Sequence, residues 1–408
     1  MTRARSILTL GMMSLAASVG CAGPAGGDGV VEVQGKVVYG TDDRRDPFAY
    51  ADQVWAARAL EFTAALVPTS QINATDPNNL NIGNRILAER LNVCPDERFA
   101  SQPANADCSA TLIAPDIMLT AGHCINNCND SRFVFDYYVT AAGTLPAITQ
   151  DDVYACSSFL ARVQSTTGLD YSIVRLSRPV VGRQPAVVRT ARTALPVGTP
   201  LIVNGHPSGL PLKIADNAAV RSNSPNLDWF VANTDTFVGN SGSGVFDANT
   251  KELVGILVRG AQDYVADGTC NRVNVCPNDG CRGEDVIYAY RAIDDMCEET
   301  SSPLCPSPAV TATFNLSSQS ATQYCGDISV RNNTSAVISS WQVNVDLRQS
   351  SLINNWNSVF TSQGGSRYAV TPPPWNHSIQ PGQSVAAGVC ASKTGPDFLP
   401  QILSASGS

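Results

Sequence analysis

The sequence predicts an all-β protein, because short strand-like runs separated by turn residues fill most of its length. The 408 residues include 31 Gly and 25 Pro, and charged residues make up only 15%. This composition favours many turns and few long helices. A chain of this length suits two or three domains, and an apolar content of 43% is sufficient for their cores.

The first 21 residues have the pattern of an export signal. Arg3 and Arg5 precede an apolar stretch, Ile7 to Val19, that is too short to cross a bilayer. Small residues then lead to Cys21, as in the cleavage box of bacterial lipoproteins, although Ser18 stands where that box usually has Leu. We predict a signal peptide over residues 1–21 and a secreted, extracellular protein. Either a lipid on Cys21 anchors it to the bacterial cell envelope, or ordinary signal cleavage leaves it without a lipid.

The cysteine count agrees with export. The sequence has 13 cysteines, and without Cys21 an even number, 12, remains. These could form six disulfides in an oxidising compartment.

The next part of the chain predicts a tether followed by a large β domain. Residues 22–36 are small and Gly-rich, as expected of a tether or pro-segment. Only Pro47 to Leu66 looks helical between Val37 and about Met296. Many β-type runs lie in the same region, among them Phe133–Val139, Ser172–Leu176, Leu201–Asn204 and Leu253–Val258. Residues 37–297 therefore predict a barrel or sandwich.

A second, smaller β domain is predicted at the C-terminal end. Residues 298–308 are rich in Ser and Pro and predict a linker, after which the composition shifts toward Ser, Asn, Gln and Thr. Strand alternation then places apolar residues on one face of two runs, which predicts a small β-sandwich over residues 309–408. These residues are Val310, Ala312, Phe314 and Leu316 in the first run, and Trp341, Val343, Val345 and Leu347 in the second.

Two segments carry the residues of nucleophilic catalysis. Cys108 to Cys124 (CSATLIAPDIMLTAGHC) predicts two strands joined by a turn, then a tight turn that presents His123. The run GNSGSGVF places Ser241 between glycines, where a strained turn can expose the hydroxyl group and direct backbone N–H groups to one point. A serine needs such a histidine to accept its proton when it attacks a carbonyl carbon.

These segments, with LDYSIVRL over Leu169–Leu176, resemble the chymotrypsin superfamily and its bacterial trypsin-like and glutamyl endopeptidase branch. The resemblance implies a two-barrel domain and the catalytic triad His123, Asp170 and Ser241, in the chain order typical of this superfamily. It also implies a Cys108–Cys124 disulfide and an oxyanion hole formed by the N–H groups of Gly239 and Ser241, worth ~3 to 4 kcal/mol per donor. The chemistry needs no metal. Asp170 could instead be a carboxylate at a strand edge.

The resemblance also indicates where substrate specificity resides. It places Gly260 and Asp235, six residues before Ser241, in the primary specificity pocket, where a carboxylate would bind Arg or Lys. Alternatively, Asp235 only ends a loop, because an Asp-Thr pair also precedes the serine in bacterial relatives with other preferences. The strand that ends at Gly260 has no histidine, which disfavours cleavage after Glu.

Activation is expected to differ from that of trypsins. Asn240 occupies the position of their activation acid, so a salt bridge from a new amino terminus cannot form there. Val37 follows Lys36 and opens a run, VVYGTDDR, that resembles the mature amino terminus of the branch. We predict cleavage after Lys36, which N-terminal sequencing would detect.

A cysteine cluster near the end of the large domain predicts disulfides rather than a zinc site, since the protein is exported. A structural calcium loop is a further expectation, and no other cofactor is expected. The cluster comprises Cys270, Cys276, Cys281 and Cys297, with Asp263, Asp267, Asp279 and Glu284 among them.

The C-terminal domain resembles a family 2 carbohydrate-binding module in the runs SSWQVN, INNWN and PWNHSI. The resemblance implies that Trp356 and Trp375 stack on the sugars of crystalline cellulose or chitin and that Trp341 lies in the core. The family's first exposed tryptophan is missing here; either Tyr324 replaces it, or two aromatic residues bind more weakly than the family's three. Alternatively, both tryptophans are core residues of a generic sandwich. Cys325 and Cys390 are expected to bridge two strands.

These predictions combine into one function. The formal net charge of -8 argues against a nucleic-acid partner. We predict a secreted serine endopeptidase that hydrolyses proteins or peptides through an acyl-enzyme and is held on insoluble cellulose or chitin. Membrane contact is expected only through a lipid anchor. The alternative is a glycan-binding adhesin with an inactive protease-like domain. A glycoside hydrolase is disfavoured, because no motif pairs two carboxylates.

Overall fold

The computed structural model describes residues 37–300, 302–305, 308–375 and 377–408. The predicted signal peptide, Cys21, the tether over residues 22–36 and Lys36 lie outside these residues. Among the described residues, we find no helix with both the length and the apolar character needed to traverse a bilayer.

The first half of the large domain forms a closed barrel of six strands in the order β2-β3-β4-β7-β6-β5. Closure leaves no strand edge unpaired within the barrel. Asp52 caps helix α1 by accepting a hydrogen bond from the Trp55 N–H at 3.0 Å. The elements are β1 (Val38–Tyr39), α1 (Gln53–Phe62), β2 (Thr63–Pro68), α2 (Leu87–Leu91), β3 (Cys108–Ala114), β4 (Ile117–Thr120), β5 (Ser131–Val134), β6 (Val153–Val163) and β7 (Tyr171–Leu176).

The second half forms another closed six-stranded barrel, in the order β10-β16-β12-β11-β8-β9. A separate hairpin, β13–β14, lies outside it, and β15 pairs in parallel with β1 at the amino-terminal end of the described chain. The elements are β8 (Pro200–Gly205), β9 (Lys213–Asn223), β10 (Trp229–Ala232), β11 (Gly244–Asp247), β12 (Leu253–Arg259), β13 (Tyr264–Asp267), β14 (Cys270–Val273), β15 (Val275–Cys276), β16 (Glu284–Tyr288) and α3 (Ala289–Glu299). Together the barrels confirm the predicted two-barrel architecture.

Apolar packing joins the two barrels. Phe246 of β11 packs against Trp55 and Phe62 of α1, with ring centroids 5.0 and 5.1 Å apart. Ile293 and Met296 of α3 belong to the same buried cluster, which contains strands of both barrels. The segments that carry His123 and Ser241 therefore meet along a fixed interface.

The C-terminal region is a sandwich of two four-stranded sheets, in the orders β17-β18-β23-β20 and β21-β22-β19-β24. Trp341, Val343 and Val345 of β19 face Ile328 and Val330 of β18 in one buried core. The strands are β17 (Val310–Gln319), β18 (Gln323–Asn332), β19 (Trp341–Asp346), β20 (Ser350–Trp356), β21 (Val359–Gly364), β22 (Arg367–Thr371), β23 (Ser384–Lys393) and β24 (Gln401–Gly407).

All the cysteines of the described chain are paired in disulfides. Two of the bonds are the Cys108–Cys124 and Cys325–Cys390 pairs named from the sequence, the second joining directly opposed residues of β18 and β23. The others are Cys94–Cys270, Cys128–Cys156, Cys276–Cys281 and Cys297–Cys305. The four cysteines of the predicted cluster therefore take part in three disulfides: Cys276 pairs with Cys281 inside the cluster, whereas Cys270 and Cys297 pair with cysteines outside it. Among the described residues, the group of three His, Cys, Asp or Glu side chains that has the spacing of a metal site is Cys108, His123 and Cys124, whose two cysteines are joined in a disulfide.

The structure corrects several local predictions. Only Gln53–Phe62 of the predicted helical region is α-helix; the next residues form β2, because pairing with β3 and β5 on both sides outweighs local preference. Helix α3 was missed, although its buried residues have helical spacing. The predicted strand over Phe133–Val139 ends at Val134, since Asp136 has a φ of 57°. Leu316 does not share the buried face of β17 and is exposed.

Candidate active site

The first candidate residue, His123, is presented by a tight turn at the end of the β3–β4 hairpin. Strand β4 ends at Thr120, and residues Gly122–Cys124 form a 3₁₀ turn that carries the imidazole. The Cys108–Cys124 disulfide fixes the end of this turn to the start of β3. The side chain of Arg162 donates to the Gly122 carbonyl oxygen at 3.0 Å and to that of Ile125 at 3.0 Å. The histidine turn is therefore held on both sides.

Asp170 lies directly beside this imidazole. It precedes β7 and is only 3% exposed. Its Oδ1 accepts the backbone N–H of His123 at 3.0 Å, and its Oδ2 lies 2.6 Å from His123 Nδ1. Since a carboxylate can only accept, this pairing places a proton on Nδ1 and leaves Nε2 to act as a base.

Ser241 lies in a turn of the second barrel that contacts the first barrel. Gly239 and Gly242 have φ values of 93° and 82°, a region that favours glycine. A Cβ on Gly242 would lie 2.2 Å from the Ser109 carbonyl oxygen, so no other residue fits at this close contact. The sequence therefore places glycine where both backbone conformation and space require it.

Contacts between the barrels bring the histidine turn and the serine turn together. The Sγ atom of Cys124, the residue after His123, lies 3.5 Å from the carbonyl oxygen of Ser241. The same carbonyl accepts the N–H of Ser109 at 2.9 Å. The turn that presents His123 to Asp170 therefore lies against the backbone of the serine turn at the barrel interface.

The C-terminal sandwich carries a second candidate site. Trp375 is 80% exposed and Trp356 40% exposed, whereas Trp341 is buried in the core. The indole of Trp356 lies against Gly388 of the neighbouring strand, where a Cβ would come within 1.8 Å of the ring. Tyr324 is only 1% exposed, and its hydroxyl group lies 2.9 Å from Ser350 Oγ. The alternative in which Tyr324 replaces the missing surface tryptophan is therefore wrong, since a buried ring cannot stack on a sugar.

Comparison with known families identifies both regions. Residues 108–256, which include all three candidate catalytic residues, match the family model described as trypsin-like peptidase domain. Residues 310–408 match the model described as cellulose binding domain. The chain contains a trypsin-like peptidase domain followed by a cellulose-binding domain.

Individual proteins are similar to parts of this chain. Endo-1,4-beta-xylanase B of Cellvibrio japonicus (strain Ueda107) is 31% identical over 115 residues, which are 26% of this chain and 19% of that enzyme. The cellulose/chitin binding protein of Mycobacterium tuberculosis (strain ATCC 25618 / H37Rv) is 28% identical over 94 residues, 23% of this chain and 66% of that protein. The chain thus spans less than two thirds of either relative.

Among solved structures, similarity extends to the VesB protease of Vibrio cholerae. The identity is 13% and the TM-score 0.37, with 82% of this chain and 87% of that chain covered. The chitin-binding domain of Chi18aC from Streptomyces coelicolor is 29% identical with a TM-score of 0.21, covering 24% of this chain and 93% of that one.

Ser109, in β3 of the peptidase domain, organises the serine turn and was not singled out from the sequence. Its hydroxyl group donates to the Gly239 carbonyl oxygen at 2.8 Å and accepts the His206 N–H at 2.9 Å. With its own N–H bound to Ser241, it holds both residues that were predicted to supply the oxyanion hole. In the described part of the chain, the N–H groups of Gly239 and Ser241 donate to no backbone oxygen, unlike those of Asn240 and Gly242. The oxyanion hole stays a prediction, with its two donors available.

Replacing Gly122 with alanine is expected to lower kcat about 100-fold and to change KM little. A Cβ at this position would lie 2.0 Å from the Val163 carbonyl oxygen and 2.8 Å from Asp170 Oδ1. The turn must therefore move the imidazole relative to its carboxylate, and small displacements of catalytic groups have effects of this size. Steady-state kinetics checks the prediction. Gly168→Ala is the control, because its added methyl group meets only the Ser165 side chain, with the hydroxyl oxygen at 3.2 Å and Cβ at 3.6 Å. Equal kinetics for the two variants would contradict it.

The residues predicted to affect specificity and activation have partners that the sequence did not indicate. Asp235 is buried, and its two oxygens accept the N–H groups of Tyr39 and Asp43, each at 2.7 Å. Burial raises the pKa of Asp235 to about 7. Asn240 is buried too, and its side-chain oxygen accepts the Ser243 hydroxyl group at 2.9 Å.

The carboxylate of Glu284 supplies the atoms nearest to a Cβ built on the predicted pocket residue Gly260. The sequence had instead suggested that Glu284 belongs to a calcium loop. A Cβ on Gly260 would lie 1.8 Å from Glu284 Oε2. A signal was present in the sequence, since Glu284 and Asp285 open a strand that is otherwise apolar and buried. No local pattern places that strand beside Gly260.

Proposed function

We propose that the protein is an exported serine endopeptidase that acts through His123, Asp170 and Ser241 and is concentrated on cellulose or chitin by its C-terminal domain. The main support is the pair of contacts from Asp170 to His123, on a turn whose next residue contacts the Ser241 carbonyl. The disulfides and the cellulose-binding domain are consistent with an extracellular protein. Lipidation at Cys21 and release by cleavage after Lys36 remain part of the proposal.

The proposed reaction has two stages. Ser241 Oγ attacks the carbonyl carbon of the cleaved bond while its proton passes to His123 Nε2, and the N–H groups of Gly239 and Ser241 bind the resulting oxyanion. The C–N bond then breaks, and the amine leaves with the proton from His123. Water next attacks the acyl-enzyme and gives its proton to His123. Release of the carboxylic acid returns the proton to Ser241.

Covalent labelling of the purified protein with a fluorophosphonate tests this function directly. Only an activated serine reacts rapidly with such a probe, so peptide mass spectrometry is expected to locate the label on Ser241. Hydrolysis of denatured casein by the same preparation should stop when labelling is complete. An unlabelled, folded protein that binds cellulose would instead support the adhesin alternative.

Replacing Trp375 with alanine is expected to weaken binding to cellulose or chitin about 30-fold, the effect typical of a central aromatic contact. The indole is exposed and can stack on a sugar ring. Trp356→Ala should weaken binding less, because this ring already packs on its own sheet. Binding isotherms on insoluble cellulose and chitin provide the measurement. Leu403→Ala is the control, because Leu403 is an exposed apolar residue of β24, in the sheet that does not contain Trp356. Unchanged binding by Trp375→Ala on both polymers would contradict this role.

A further inference from the structure

Residues 37–46, here called the amino-terminal segment, are held in place by their own contacts with the peptidase domain. Strand β1 pairs with β15, and the Gly40 N–H donates to the Cys276 carbonyl oxygen at 2.8 Å. Further along, the guanidinium group of Arg98 donates to two carbonyl oxygens of the segment, at 2.6 and 2.7 Å. The segment is therefore a fixed part of the domain, to which other parts of the chain can be anchored.

Asp235 binds this segment with both of its carboxylate oxygens. Oδ1 accepts the Tyr39 N–H and Oδ2 accepts the Asp43 N–H, each at 2.7 Å. The acid is only 4% exposed, so these two hydrogen bonds form away from water. Asp235 therefore joins the chain that leads to Ser241 to the backbone of the amino-terminal segment.

A second contact joins the same segment to the residue two positions after Asp235. The guanidinium carbon of Arg44 lies 3.8 Å from the centroid of the Phe237 ring, and both side chains are buried. Asp42 orients the guanidinium group by accepting two of its N–H groups, each at 2.8 Å. Attraction between a cation and an aromatic face is strongest when water is excluded. The amino-terminal segment thus holds both ends of the run 235–237.

This run leads directly into the serine turn. The carbonyl oxygen of Phe237 accepts the Asn240 N–H at 2.8 Å, which closes a turn that contains Gly239. Gly239 was predicted to supply one N–H group of the oxyanion hole, and its backbone has a φ of 93°. Since Phe237 is the first residue of this turn, a shift of Phe237 would change the direction of the Gly239 N–H.

The anchor explains how the turn is ordered although Asn240 replaces the activation acid of trypsins. The Asn240 side-chain oxygen accepts the Ser243 hydroxyl group at 2.9 Å, which keeps this side chain within the serine turn. Tyr39 and Asp43 bind Asp235 through N–H groups inside the chain. These contacts need no free amino terminus.

We propose that Asp235 is a positioning residue for the oxyanion hole, which it orders by anchoring the serine turn to the backbone of the amino-terminal segment. Arg44 supports the same anchor through Phe237. This inference rests on the proposed peptidase function, and it replaces the predicted role of Asp235 in binding Arg or Lys. It also means that activity does not require a free amino group at Val37.

Kinetics of Asp235→Asn with two peptide substrates tests the assignment. The substrates differ only in having Arg or Leu before the cleaved bond. The asparagine amide group can accept one of the two N–H groups and must face the other with its own N–H. We expect kcat to fall at least about tenfold for both substrates with little change in KM, because the oxyanion contacts form only in the transition state. Affinity for a peptide boronic acid, which forms a tetrahedral adduct with Ser241, should fall in parallel.

Asp228→Asn is the matched control, because Asp228 is another buried acid of the second half of the domain and binds Arg291 instead. Its kcat should stay within about twofold of the wild type, whatever its effect on stability. A fall in kcat of less than about tenfold for Asp235→Asn would overturn the proposal. A fall confined to the Arg substrate would also overturn it, since Asp235 would then recognise the substrate.

A comparison of chain lengths keeps the test independent of whether Asp235→Asn folds. Lys36→Gln removes the predicted cleavage site, so that the residues before Val37 stay attached, which N-terminal sequencing verifies. We expect its kcat to lie within about tenfold of that of a protein that begins at Val37. A larger difference would show that a free amino terminus orders the serine turn, as in trypsins, and would overturn the proposal.

Fluorophosphonate labelling separates this inference from the peptidase function. If the wild-type protein is labelled at Ser241 and Asp235→Asn is as active as the wild type, this inference alone is refuted. Absence of labelling in the wild type would refute the peptidase function and this inference with it.

Discussion

Replacing Ser241 with alanine is expected to lower kcat by about 10⁶-fold and to abolish fluorophosphonate labelling. Removal of the nucleophile leaves only substrate binding and the oxyanion donors, and serine peptidases lose activity on this scale when the triad is broken. The fold should be preserved, because Ser241 is held through its carbonyl oxygen, which alanine retains. Active-site titration of the wild type and kinetics of the variant provide the measurement.

Ser243→Ala is the matched control for this prediction. Ser243 lies in the same turn, but its hydroxyl group donates to Asn240 and is fully buried. Loss of this hydrogen bond should lower stability by about 1 kcal/mol while labelling of Ser241 persists. Hydrolysis that survives in Ser241→Ala, with trace wild-type protein excluded by mass spectrometry, would show that another residue attacks the substrate.

Replacing Asp170 with asparagine is expected to lower kcat about 10⁴-fold near neutral pH, with little change in KM. The carboxylate accepts both the backbone N–H and the Nδ1–H of His123. An asparagine must direct its amide group at one of these donors. The imidazole would then favour the tautomer with its proton on Nε2, which cannot accept the proton of Ser241.

Asp116→Asn is the matched control, because it removes the charge of an acidic residue of the first barrel that does not contact His123. Asp116 forms a partly exposed ion pair with Arg175 at 3.2 Å, far along the β3–β4 hairpin from the histidine turn. Exposed pairs contribute little to stability, so its kcat should stay within about twofold of the wild type. A kcat for Asp170→Asn within about tenfold of the wild type would mean that the 2.6 Å contact is structural and not catalytic.

The sequence alone determined the features that depend on neighbouring residues. Tight turns around His123 and Ser241 follow from glycines whose positions allow no side chain, and period-two alternation marked the core face of β19. The general architecture also follows from such patterns, since short strands with turn residues between them suit barrels and sandwiches.

Only the tertiary structure decided which distant side chains meet. Thr63–Pro68 became a strand because two strands pair with it. Tyr324 is buried because its ring packs against Phe314 and Phe398, which are distant from it in sequence or on a neighbouring strand. Asp235 faces the amino-terminal segment, and Glu284 reaches Thr236, 48 residues earlier, through the pairing of β12 with β16. The physical reason is that local conformation depends on adjacent residues, whereas the partners of a buried charge depend on how the barrel closes.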